Sequence, residues 1–149
     1  MSENEKGNLK LIGKNPKDLK VISAYSQDSI VNVKDIVFLK GNRTFIMLTN
    51  RFMWEDIEKG FFRQNRRIRC AIKFEEIIKV QSKNINQKDN STPLECLAIE
   101  CKLSSSNNYE IKIFFSGDSV ITLISEAIDV SMHDLGKPWK VKHVPIHKI

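Results

Sequence analysis

Arginine is missing from most of this chain. All six arginines lie between residues 43 and 69 (Arg43, Arg51, Arg63, Arg66, Arg67, Arg69), and lysine supplies the positive charge elsewhere. Cysteine is scarce as well. Cys70, Cys96 and Cys101 make an odd count with no C-x-x-C spacing, which argues against a disulfide framework and fits a reducing compartment. No apolar run comes near the roughly 18–20 residues of a membrane-spanning helix. The opening MSENEKGNLKLI has no apolar stretch of signal-peptide type, so secretion is not expected and the cytoplasm is the expected location. Also missing are the G-x-G-x-x-G, P-loop, H-E-x-x-H and G-x-S-x-G patterns of dinucleotide, nucleotide, zinc and serine chemistry. This reading expects no catalytic residue, no cofactor and no metal.

What is present is an ordinary globular composition, 41% hydrophobic and 28% charged over 149 residues, enough for one domain with a full core. Residues 1–8 read as a disordered tail, 9–140 as a single β-rich domain and 141–149 as an extended tail. Leu9, Leu11 and Ile12 start a short strand. Asn15-Pro16 with Asp18 is a helix start, because Asn caps, Pro fits the first turn and the acid meets the positive end of the helix dipole. Leu19, Ile22 and Tyr25 then give a helix over 16–27.

From Ile30 the period changes to two. IVFLKGNRTFIMLTN reads as a hairpin turning at Gly41-Asn42. Ile68, Cys70, Ile72 and Phe74 alternate with Arg67, Arg69, Ala71 and Lys73, as expected of an antiparallel sheet with one wet face. The same rule points Ile78, Val80 and Ser82 inward, then Leu97, Ile99, Cys101 and Leu103, then Tyr109, Ile111, Ile113 and Phe115, and leaves Cys96 facing out. FEEIIKVQSKNI (74–85) and ISEAIDVSMHDL (124–135) echo one another at an offset of fifty residues. These signs predict an α+β, mostly β fold: about eight antiparallel strands in a two-sheet roll or partly open barrel. Its outline is pleckstrin-homology-like, with one N-terminal helix and a possible internal duplication.

Several segments together carry a resemblance: LKLI and DLKVISAYSQDSI near the start, NRFMWE at 50–55, RRIRCAIKF at 66–74, and DLGKPW at 134–139. In that order they resemble an alphaproteobacterial family known only as a domain of unknown function (domain of unknown function 2948). The loop EDIEKGFFRQN is longer here than the family's pattern. The resemblance implies a bacterial cytoplasmic protein of one domain and supplies no activity.

The remaining feature is electrostatic. The chain carries a net charge of +6, and from Lys40 to Arg69 eight Lys or Arg face three acids, Glu55, Asp56 and Glu58. Arginine offers a rigid fork of donors for carboxylate or phosphate. Arg67, Arg69 and Lys73, with Lys79 and Lys83, are expected on one face of neighbouring strands, beside a loop holding Phe61, Phe62, Arg63 and Arg66. Arg51 and Trp54 complete the candidate contact surface for an anion or a protein partner. Cations interleaved with aromatics suit a nucleic-acid backbone. The same charges equally suit a solvated face that blocks edge-to-edge aggregation. Trp54 and Trp139 are either interface anchors or core-rim residues whose N–H meets a carbonyl, and Asn50, Arg51 and Glu55 are placed to form a polar network. His133-Asp134 point to opposite faces of a strand, and Pro145 breaks the spacing of His143 and His147. The leading expectation is a non-enzymatic binding or adaptor domain. The alternatives are direct RNA or DNA binding, a homo-oligomeric scaffold such as a homodimer, and an enzyme of unrecognised type.

Overall fold

The computed structural model describes residues 9–58, 65–89 and 92–145. The expected tail at 1–8, the Phe61-Phe62-Arg63 loop and the end of the chain from 146 lie outside the described residues. Strand β1 (Lys10–Gly13) leads into helix α1 (Pro16–Ser26). The Asn15 side chain accepts from the Asp18 N–H at 2.8 Å, and the Asp18 carboxylate accepts from the Lys14 N–H at 3.0 Å. The cap thus satisfies donors that the first helical turn cannot. Leu19, Ile22 and Ser26 are buried, and Tyr25 packs half-buried at the core's edge. The chain passes close to α1 at Gly13, where an added Cβ would lie 3.0 Å from the Ile22 Cδ1.

Then come β2 (Ile30–Asn32), β3 (Ile36–Leu39), β4 (Thr44–Phe52), α2 (Trp54–Glu58), β5 (Arg66–Phe74) and β6 (Ile77–Lys83). They are followed by β7 (Pro93–Leu103), β8 (Tyr109–Phe115), β9 (Ser119–Ser125) and β10 (Val130–Lys140). Among the described residues there are thus ten antiparallel strands in one open sheet, against the expected eight or so in a two-sheet roll or partly open barrel. The count rises because the extended run from Ile30 is broken by a tight turn at Val33–Asp35, which makes two strands of it. The short helix α2 was not expected. The strand path is β1-β10-β5-β4-β2-β7-β8-β9-β6, with β3 paired to β4 alone. Residues from both ends of this path pack into one core, so the sheet folds over on itself.

Alternation holds where strands run unbroken. Ile68, Cys70, Ile72 and Phe74 are all fully buried, each apolar side chain contributing about 1.5–3 kcal/mol. It fails at two bulges, because an extra residue reverses which face follows. Between Ile77 and Lys79 the register slips, so Ile77 is buried and Ile78 points out. Between Cys96 and Ala98 it slips again, so Leu94, Cys96 and Ile99 are inside while Leu97 faces out. Leu103, expected inside, is 60% exposed at the far end of β7. In the β3–β4 hairpin the left-handed residue is Arg43 (φ 54°), not Asn42.

The two echoing segments occupy equivalent corners. One carries the chain from β5 to β6 and the other from β9 to β10, and β5 pairs with β10 while β6 pairs with β9. The corners bond each other: the Glu75 N–H donates to the Asp129 carbonyl at 2.8 Å and the Glu126 N–H to the Glu76 carbonyl at 3.0 Å.

Candidate functional site

The arginines come first, since the sequence singled them out. Arg51 sits inward on β4 and is 0% exposed. Its guanidinium forks onto two carboxylates. Nε and Nη2 donate to Asp134 at 2.8 Å each, and Nη1 and Nη2 donate to Glu55 at 2.9 and 2.6 Å. The Tyr25 ring lies 5.9 Å from the guanidinium carbon. Asp134 also accepts the Leu9 N–H at 3.1 Å, and its own N–H reaches the Leu9 carbonyl at 3.0 Å. Burial works against the Arg51 charge, but the Asp134 and Glu55 carboxylates more than offset it and hold the group protonated. The NRFMWE and DLGKPW segments therefore meet in one buried ion cluster tying β1, β4, α2 and β10. The Arg51–Glu55 link was legible from spacing; the Asp134 partner, 83 residues away, was not.

The other described arginines are also engaged. Arg66 forks onto Asp56 at 2.8 and 3.0 Å. Arg69 meets Asp35 at 3.2 Å and the Asn50 side-chain carbonyl at 3.2 Å. Arg67 donates to the Asp28 and Asn50 backbone carbonyls, both at 3.0 Å, and lies over the Phe52 ring. Burial lowers its pKa against the pull of Asp28 and Glu95. Arg43 pairs with Glu126 and Lys73 with Glu75. The expected shared face of Arg67, Arg69, Lys73, Lys79 and Lys83 does not form, because β5 and β6 are not neighbours in the sheet. The Trp54 indole N–H donates to the Gln27 carbonyl at 2.9 Å, and its ring packs edge-on against Phe52. Trp139 is 41% exposed on β10, opposite Arg67 in the register.

Cys96, expected to face out, is 1% exposed, and burial pushes its thiol up to about 12, with the Ser26 hydrogen bond pulling the other way. That is the opposite of a reactive thiol. His133 is exposed on β10 and Asp134 is committed to Arg51. Among the described residues no group of three His, Cys, Asp or Glu is arranged to hold a metal ion, and no helix is long and apolar enough to cross a membrane.

Sequence reasoning missed a groove of about 320 Å³ between β3 and β6. Its base is Phe45 of β4 and Ile121 of β9, both core residues. One wall is Ile36 and Phe38 of β3 with Val33 before them; the other is Val80 and Ser82 of β6 with Ile85 beyond. Five of these apolar side chains (Val33, Ile36, Phe38, Val80 and Ile85) pack on the core yet stay partly uncovered. Lys34 and Gln87 stand at the rim. Among the described residues β3 has one strand partner and β6 ends the path, so each wall carries an edge with no strand beside it. The signal in the sequence was the broken run at Val33–Asp35, which separates β3 from β2.

No curated protein matches the chain. The pattern of a family described as a protein of unknown function (DUF2948) extends over residues 9–147, and the chain belongs to that family.

Proposed function

We propose that the protein is a non-enzymatic binding module whose ligand seats in the groove between β3 and β6. In this reading the folded-over sheet is a partly open, pleckstrin-homology-like barrel, and the groove is its opening. The carrying observation is core apolar surface left partly uncovered in a concave site of about 320 Å³, at the lower end of the size range of ligand pockets. The arginine-rich strand and the Trp54 corner support this reading less, because the described arginines are spent on carboxylates and carbonyls of the same chain. Direct nucleic-acid binding loses support for the same reason, since phosphate contacts need available cations.

The test uses the anionic apolar dye 8-anilinonaphthalene-1-sulfonate. The folded protein should enhance its fluorescence saturably, and Val80→Glu, which places a carboxylate in the wall, should abolish the effect. Ser82→Phe, which fills the groove from a solvent-accessible position, should do the same, with circular dichroism confirming that both variants fold. Undiminished dye binding in both folded variants, or none in the wild type, would refute the assignment.

A further inference from the structure

Resting on that reading, we infer that the groove takes an extended peptide that adds as a strand to β6, with apolar residues alternating with acidic ones. Three observations converge. First, among the described residues β6 is the terminal strand of the path, paired on one side by β9 and by no strand on the other. Past the Ile77 N–H, which donates to the Arg43 carbonyl at 2.9 Å, its outer backbone groups are a template for another strand, the arrangement used in β-strand addition, where main-chain bonds give affinity and alternate side chains give specificity. A fatty acid or other apolar small molecule leaves those donors and acceptors without partners.

Second, the side chains of β6 divide by face. Val80 and Ser82 line the groove, while Lys79, Gln81 and Lys83 alternate with them and are exposed. A strand laid beside β6 would present every second side chain to the groove and the others across from Lys79 and Lys83. Directly opposed charges of opposite sign stabilise such a pair and like charges oppose it.

Third, these cations are available. Among the described residues Lys34, Lys79 and Lys83 take part in no ion pair, although Lys14, Lys73 and Lys112 and four arginines do. The acceptor chemistry of the occupant is thus carboxylate on its outer face, and its inner face is apolar to match Val80, Phe38 and Phe45.

The probe is a capped peptide of alternating Val and Glu, titrated into the ¹⁵N-labelled protein. The expected result is displacement of the dye, amide shifts concentrated in β3 and β6, and slowed hydrogen exchange within β6. The same peptide N-methylated at alternate backbone positions keeps its side chains but cannot complete a ladder, and it should not bind. A Val/Lys peptide should bind roughly tenfold more weakly, as charge reversal across two lysines implies. Equal binding by the N-methylated peptide overturns strand addition, and equal binding by the Val/Lys peptide overturns the acidic preference. If the dye binds the groove but no peptide displaces it, the inference fails and the binding-module reading survives. If neither dye nor peptide binds, both fail.

Discussion

Arg51 shows what a single residue does when chemistry and position disagree. Its charge belongs in water, yet it is fully buried, so its two carboxylates must stay with it. Replacing it with Met would leave Asp134, whose side chain is 1% exposed, as an uncompensated buried charge. The expected cost is about 3–5 kcal/mol, read as a lower urea midpoint. Arg51→Lys should recover little, because an ammonium cannot fork onto two carboxylates at once. The buried thiols give a second residue-scale expectation. Burial pushes Cys70 and Cys96 from an ordinary 9.0 up to about 12. Folding therefore holds their protons more tightly. The contribution is complete below pH 9 and is lost as pH rises toward 12, the range over which the unfolded thiols ionise first. Stability should fall above pH 9 by about 1.4 kcal/mol per pH unit for each thiol, and Cys96→Ala should show a shallower slope. An unchanged slope would assign the alkaline sensitivity to other groups.

Elements were legible to the degree that their cause was local. The start of α1 could be read from Asn15, Pro16 and Asp18 alone because capping involves neighbours in sequence, and the structure places the N-cap at Asn15. Asn15→Ala should accordingly cost about 1 kcal/mol, seen as a lower thermal midpoint, with little change if the cap hydrogen bond were dispensable. The inward face of β5 was equally readable, since nothing interrupts its alternation between Arg66 and Phe74. Val80, Ser82, Ile99 and Cys101 face inward as expected, but Ile78, Cys96 and Leu97 were misjudged because they lie at bulges, where the register to the partner strand, β9 or β8, slips. The candidate site suffered from the same limit. Spacing placed Arg67 and Arg69 on β5, but it left Arg66, which opens that strand, in the preceding loop, and Asp134, Asp56 and Asp35, which neutralise Arg51, Arg66 and Arg69, lie on other elements. The groove needed β3 and β6 to stand as separate walls, and no property of either segment announces the other.

At the scale of the whole molecule, the cations outside ion pairs among the described residues are mostly lysines, so the net charge of +6 is not the property of an arginine face. The paired corners carry a different consequence, for the order of events in folding. Each corner holds the other through bonds between Glu75 and Asp129 and between Glu76 and Glu126, residues some fifty positions apart. Neither turn gains its partner until the intervening hairpins have brought it there, so the entropy of closing that span is spent before the reward arrives. Refolding from urea, followed by stopped-flow tryptophan fluorescence, should therefore take roughly milliseconds to seconds, the regime of chains dominated by distant pairings. Microsecond refolding would mean that the corners are late ornaments on a structure assembled by nearer contacts.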